Sequence, residues 1–394
     1  MAAMEKKDKT LNVPHLRFPE FSGEWEKCTL GSIGETFNGL TGKSAVDFGS
    51  GSPYITYKSI FDSSKIDISK VEYVKITEAE RVKQTQNEVE YGDIFFTTSS
   101  ETPEEVGMAS VLLSEIRDCY LNSFCFGYRL FDKCIHQPDF FRFYLRSSNL
   151  RKKIAILAQG STRFNISKNE VMKMPIFLPS LAEQRKISKL LSLIEDRIET
   201  QKKIIEKYES LIRGLYHSCF CNSESTTTKL SDVVTIVKGK QVNGENLLEN
   251  GQYYVMNGGI EPSGYLNEYN TPADTISISE GGNSCGYVQY NKEPFWSGGH
   301  CYSLMPKSEN ICYRFLYHFL KYKENDIMAL RIGSGLPNVQ KKDLEHFEVQ
   351  LPSLERQRKV TALLDTISAK RDLERRLQYV SQSQKQYLLG ALFI

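Results

Sequence analysis

The sequence predicts an α+β chain in which two domains of mixed, mostly antiparallel sheet plus helices are joined by two long antiparallel coiled-coil helices. Three observations carry this. The stretch Gly160–Ile198 recurs at Gly333–Arg371 with a constant offset of 173 residues. Each copy runs into a long segment whose apolar residues recur at alternating spacings of four and three. Each copy is also preceded by short β-type runs that Gly, Asn, Ser and Pro clusters separate.

The repeat shares Gly160/Gly333, Asn165/Asn338, Leu178–Leu181/Leu351–Leu354, Gln184–Lys186/Gln357–Lys359 and the pairs Leu190-Leu191/Leu363-Leu364. A fainter echo opens each half, where Leu30 through Gly39 parallels Leu230 through Gly239 at an offset of 200. The first half is therefore longer by about one loop or hairpin, inserted between the two anchors. The expected organisation is residues 1–180 and 218–353 as globular domains, with spacer helices over 181–217 and 354–394.

In chain order, β-type runs fall at Ile94–Thr98, Cys125–Phe131, Thr275–Ser279 and His300–Met305, and helical spacing at Asp139–Ser147 and Ile311–Tyr322. The first long helix begins at Pro179-Ser180-Leu181-Ala182-Glu183, where Ser180 and Glu183 form a complete capping box. Its seam is Ile187, Leu191, Ile194, Ile198, Ile205, Tyr208, Ile212 and Leu215, with Gln201 in the one polar slot. At 1.5 Å per residue, Leu181–His217 spans roughly 55 Å. The second helix starts from Pro352-Ser353, but Arg356 stands where the box needs Glu. Its stripe runs Val360, Leu364, Ile367, then Leu373, Leu377, Val380, Tyr387 and Ala391, and the single register slip predicts a local distortion. Amphipathic helices of this length need a partner, and each seam is matched by one other in the chain, which favours an intrachain rod over helices that each pack on their own domain or that dimerise two chains.

Of the 394 residues, 40% are hydrophobic and 25% charged, values of an ordinary globular protein. No apolar run reaches the ~20 residues that cross a bilayer, and polar, Lys-rich Met1–Pro14 is no signal peptide. A cytoplasmic chain is expected. Its nine cysteines form no CxxC pair and read as reduced thiols rather than a metal site; the neighbours His300-Cys301 are a weak signal alone.

At this point the sequence resembles the specificity subunits of type I restriction-modification systems. The residues that carry the resemblance are Leu16-Arg17-Phe18-Pro19-Glu20-Phe21 with Glu24-Trp25, the Leu30/Gly31/Ile33 opening, and both Leu-Pro-Ser-Leu repeats with their Gln-Arg-Lys. The resemblance covers nearly the whole chain and implies a non-catalytic subunit. Each half would hold a target-recognition domain reading one part of a gapped, two-part site in double-stranded DNA. The helices would set the gap and dock methyltransferase subunits, two copies being expected, alongside a restriction/translocase subunit. No cofactor is expected in this chain. The two domains differ outside the anchors, so the target should be asymmetric.

Base reading needs donors and acceptors in pairs, while hydroxyls and backbone amides suit phosphates. In the first domain the candidates are Lys43, Tyr57, Lys58, Ser59, Thr97, Thr98, Ser99, Ser100, Ser161, Arg163 and Asn165. In the second they are Lys238, Lys240, Gln241, Asn257, Gly281, Asn283, Ser334 and Asn338. The repeated Gly-Ser-x-x-x-Asn at Gly160 and Gly333 serves either phosphate contact or turn chemistry.

Charge constrains this reading. Lys and Arg exceed Asp and Glu by only two, residues 1–180 balance at 23 against 23, and residues 227–353 hold 11 basic and 14 acidic side chains. A free-standing DNA binder usually carries a basic face, so this chain alone should bind DNA weakly and rely on partners.

Signatures of enzymes are missing. Gly39–Ser44 has the ending of a Walker A loop, but Phe37 occupies the place of its first Gly. Neither a GxGxxG at a strand–helix turn, nor HExxH, nor an Asn/Asp-Pro-Pro-aromatic tetrapeptide occurs, and the GxSxG string Gly282–Gly286 falls in a turn-rich loop rather than at a strand-to-helix turn. The competing readings are a coiled-coil scaffold with two protein-binding domains and a self-contained DNA methyltransferase, the latter disfavoured by the absent cofactor motif.

Overall fold

The computed structural model describes residues 12–84, 87–221, 225–333 and 335–394. The chain forms two units, Met1–Thr200 with Gln378–Ile394, and Gln201–Leu377.

In the first unit, strands β1 (Gly34–Asn38), β2 (Ile94–Thr97), β3 (Ala109–Val111) and β4 (Cys125–Leu130) form an antiparallel sheet in the order β1-β4-β2-β3. Strand β2, Ile-Phe-Phe-Thr, is buried at every residue, which explains why it shows no alternation in sequence. A second sheet pairs Phe48–Ile55 with Glu72–Val74 antiparallel and with Tyr120–Leu121 parallel. Glu26–Thr29 pairs with Pro175–Leu178, closing the ends of the domain beside its exit.

The second unit repeats this plan. Strands β5 (Val234–Lys238), β6 (Thr275–Ser279), β7 (Val288–Asn291) and β8 (Cys301–Pro306) take the order β5-β8-β6-β7. Tyr253–Met256 pairs with Tyr265–Leu266 antiparallel and Trp296–Ser297 parallel, and Thr226–Lys229 pairs with Glu348–Leu351. The duplication thus extends through the whole domain, although side-chain identity survives only at its two ends. Most of the first half's extra length lies between Asn38 and Ile94, where the longer hairpin sits. The short aromatic helices occur at Pro138–Tyr144 and Tyr313–Tyr322.

The long helices are α1 (Leu181–Phe220) and α2 (Leu354–Ala391). In the first unit Ile187, Leu191 and Ile194 of α1 share a core with Leu388 and Leu389 of α2, and Lys385 reaches Glu195 at 2.6 Å. In the second unit Leu215, Tyr216 and Phe220 share a core with Val360 and Leu364, and Arg375 reaches Glu209 at 2.5 Å. In both units the leading part of one helix meets the trailing part of the other, as an antiparallel pair requires. The predicted seam of α1 is buried or half-buried throughout, Gln201 included.

Two expectations fail. The capping box at Ser180 is only half formed: Ser180 Oγ accepts the Glu183 N–H at 3.4 Å, but the Glu183 carboxylate turns elsewhere. It takes two 2.8 Å hydrogen bonds from Arg17 and one of 3.4 Å from Trp25 Nε1, because a buried carboxylate gains more from a bidentate cation than from a lone backbone amide. The distortion expected in α2 is absent, since the helix is continuous over 38 residues. Its inward side carries polar residues such as Ser381 and Lys385, while Leu373, Val380 and Tyr387 are 56%, 61% and 67% exposed. The apparent slip came from apolar residues on the solvent side.

The repeated Gln184 and Gln357 are clamps. Gln184 Nε2 donates to the Pro179 carbonyl at 2.9 Å, and its Oε1 accepts the Gln137 N–H at 3.0 Å. Gln357 does the same with the Pro352 carbonyl at 2.8 Å and the Cys312 N–H at 2.9 Å. Each glutamine ties the start of a long helix to the start of an aromatic helix. Among the described residues no helix is long and apolar enough to cross a membrane.

Candidate nucleic-acid interface

The repeated Gly-Ser-x-x-x-Asn is closed at its neck by the same pair of backbone bonds in both units. Gln159 and Asn165 exchange backbone hydrogen bonds of 2.9 and 2.8 Å; Ile332 and Asn338 exchange bonds of 2.9 and 3.0 Å. Gly160 and Gly333 have φ of +133° and +99°, values that an L side chain rarely adopts. The loop is then fixed to the segment that leaves the central strand. Ile166 N–H bonds the Thr98 carbonyl at 2.9 Å and Ser99–Ser100 pairs with Phe164–Asn165. In the second unit Val339 N–H bonds the Glu280 carbonyl at 2.8 Å, and Gly281 bridges to Asn338. The positive φ of Gly160 and Gly333 and the backbone bonds of Asn165 and Asn338 serve the turn, while both Asn side chains stay exposed. Exposed Ser161 and Arg163 remain at the tip, and Ser334 lies outside the described residues.

Four candidates of the first unit converge. Tyr57 donates its hydroxyl to the Ser99 carbonyl at 2.6 Å, and Arg163 Nη2 bonds Ser99 Oγ at 3.2 Å. Together with Ser100, Phe61, Glu101, Glu105 and Thr162 they line a cavity of about 810 Å³. The Tyr57 ring stacks on Phe61 at 5.9 Å and 16°, and burial raises its phenol's pKa above the ordinary value. Two arginines with no carboxylate ion pair among the described residues hold the walls. Arg146 donates to the carbonyls of Ala109, Ile60, Phe61 and Ser63, and Arg151 to those of Glu104, Val106 and Gly107. Burial pulls both guanidinium groups down to about 10.

The other candidates of this unit are placed elsewhere. Thr97 is buried and accepts the Met108 N–H at 2.9 Å, and Thr98 donates to the Phe124 carbonyl at 2.8 Å. Exposed Lys58 and half-buried Ser59 line a separate groove of about 690 Å³ with Glu195 and Asp196. Lys43 is paired with Glu80 at 2.6 Å with its side chain 7% exposed, and the lysine's hydrogen bond holds that carboxyl at about 2. Its charge is answered within the protein. Lys168, which bonds Asn38 Oδ1 at 2.9 Å beside Thr98, was not a candidate and lines a cavity of about 370 Å³.

In the second unit the centre is a residue that sequence reasoning passed over. Glu280 takes Lys238 at 2.7 Å and the Tyr302 hydroxyl at 2.9 Å on one oxygen, while its buried Oε2 has no hydrogen-bond partner among the described residues. His300 Nδ1 stands 3.9 Å from that oxygen. Burial, then the bond to Glu280, raises the Tyr302 phenol's pKa. Asn257 Oδ1 accepts the His300 N–H at 3.0 Å. The backbone of Lys240 is held by Ser297 at 2.9 Å and Trp296 Nε1 at 3.0 Å, leaving its side chain exposed, as are those of Gln241 and Asn283. The signal for Glu280 was its place beside the candidate Gly281; His300 was marked only by its neighbour Cys301 and Tyr302 only by the β-type run His300–Met305, and they arrive on the turn before β8 and on β8 itself. Cys301 is buried and its thiol is pushed up to about 11. Among the described residues no group of three or more His, Cys, Asp or Glu could hold a metal ion.

The chain has known relatives. A protein of Mycoplasma genitalium provisionally named a type I specificity subunit is 29% identical over 48% of this chain and 52% of its own length. A similarly named protein of Mycoplasma pneumoniae is 29% identical over 48% and 54%. The chain thus matches about half the length of these two relatives. A Methanocaldococcus jannaschii protein provisionally named a type I restriction enzyme specificity subunit is 25% identical over 98% of this chain and 96% of its own. The crystal structure of a type I restriction-modification S subunit from M. genitalium superposes with a TM-score of 0.72 at 21% identity, covering 97% of this chain and 99% of that one. It shares the fold of two mixed domains and long helices. The family model for the type I restriction modification DNA specificity domain matches twice, over residues 22–210 and 222–379. With both halves matched and the duplicated fold in place, the chain belongs to the type I restriction-modification DNA specificity family.

Proposed function

We propose that this chain is the non-catalytic, sequence-reading subunit of a type I restriction-modification complex, each unit reading one part of a gapped, asymmetric site in double-stranded DNA. The observation that carries the reading is the pair of closed loops on equivalent strands, with unlike side chains around them. Tyr57, Ser99 and Arg163 gather in one unit; Lys238, Glu280 and Tyr302 gather in the other. One scaffold with two polar surfaces of different chemistry suits two different half-sites.

Under this reading α1 and α2 act as the spacer that fixes the unread gap, and their outer faces dock two methyltransferase subunits and, with them, the restriction/translocase subunit. Methylation and cleavage reside in those partners. The near-neutral charge of the domains supports a division of labour in which partners supply most phosphate contacts. The test is to co-express the chain with type I methyltransferase subunits and map methylated adenines by single-molecule sequencing. A two-part motif with a fixed gap and unlike halves is expected; an ungapped or palindromic motif, or none, would reject the reading.

A further inference from the structure

We propose that Arg163 is the residue that sets base specificity in the first unit and that it reads a guanine; this rests on the function proposed above. The closed loop Gln159–Asn165 is held at its neck by two backbone bonds, by Gly160 and by the Ser99–Ser100 pairing, so its tip is presented by a rigid frame. Arg163 stands exposed at that tip, with Nη2 bonded to Ser99 Oγ at 3.2 Å and no ion pair among the described residues. Lys43 and Lys238 differ in this respect, since each is neutralised by a glutamate. A guanidinium anchored at one corner keeps further N–H donors on a planar fork. Two parallel donors are what the O6 and N7 of guanine accept in the major groove. The neighbours favour a base over a phosphate, because Glu101 and Glu105 line the same cavity and would oppose an anion.

The duplicate supplies the contrast. At the equivalent place in the second unit the loop carries Leu336, 85% exposed. A solvent-exposed leucine has no packing role within the unit, and its chemistry suits a thymine methyl rather than a guanine edge. One backbone loop therefore presents a donor fork in one reader and an apolar contact in the other, at a single position.

The test uses the chain assembled with methyltransferase subunits, comparing methylation motifs of the unaltered protein, Arg163→Leu and Arg163→Lys. The unaltered complex should show a fixed G·C pair in one half of its motif. Arg163→Leu should relax that one position, with discrimination there falling about 10- to 100-fold and the other half unchanged. Arg163→Lys, which keeps the charge and can still reach Ser99, should relax the same position less. A uniform drop in methylation at every site with the motif intact would mean a phosphate contact and overturn the proposal, as would an unchanged motif at unchanged rate. Failure of the unaltered complex to show any motif would instead overturn the reading of the chain as a DNA reader. Thermal melting of both variants, expected to match the parent because the residue is exposed, separates loss of reading from loss of fold.

Discussion

Replacing Gln184 with Met tests whether the repeated glutamine is a clamp. Gln184 is 2% exposed, and its amide closes two contacts at once, donating to the Pro179 carbonyl and accepting the Gln137 N–H. Methionine matches its length and fills the same space, so little packing is lost. What is lost is the partner of two buried backbone groups, each of which costs about 1–3 kcal/mol when left unsatisfied. The expected penalty is therefore about 2–6 kcal/mol, a large part of the margin by which a domain is stable. Hydrogen exchange followed by mass spectrometry localises the effect, because the clamp holds the entry to the helix Pro138–Tyr144. Exchange there should accelerate in Gln184→Met while the helix Tyr313–Tyr322 is unaffected, and Gln357→Met should show the reverse. A stability change below about 0.5 kcal/mol, or acceleration spread equally over both helices, would refute the clamp.

Three further outcomes are expected. Asp365 is pulled down to about 2: burial works against its charge, but hydrogen bonds from His318 and Arg314 outweigh burial. The stability it confers is complete above pH ~4 and is lost as pH falls toward 2, so Asp365→Asn should cost about 1–2 kcal/mol at neutral pH, after discounting for its part exposure, and flatten the acid limb of the melting curve between pH 4 and 2. Arg151→Met removes the donor from the part-buried carbonyls of Val106 and Gly107 and the exposed one of Glu104 and should cost about 2–6 kcal/mol, with faster proteolysis of the 102–108 turn; an unaltered cleavage rate would contradict the role given to that arginine. The isolated chain should bind duplex DNA weakly at ~150 mM salt in an anisotropy titration, and tight, salt-resistant binding would show that the charge argument is wrong.

Much of the architecture was legible because it is written in periodicity. The seam of α1 and the runs that became β2, β4, β6 and β8 rest on local patterns that tertiary packing did not override. The matching order of the two central sheets was not legible, since strand order leaves no local pattern and the equivalent strands share little side-chain identity, as Ile94–Thr97 and Thr275–Ser279 show. The misread stripe of α2 has a related cause: pattern reading assumes that apolar means inward, whereas Lys385 turns inward to meet Glu195 and leaves Tyr387 in solvent. The interface was the least legible part. Sequence offered polar loop residues without saying which were already engaged, so Lys43, committed to Glu80, looked equivalent to Arg163. Glu280 acquires its meaning only from Lys238 and Tyr302, which reach it from other strands.

The most direct test of the central claim is to exchange the globular part of one unit, residues 34–174, for that of another family member and map the methylation motif of the assembled complex. The account predicts that one half of the two-part motif changes while the other half and the gap stay as they were. A motif that is unaltered by the exchange, or altered in both halves together, would contradict it.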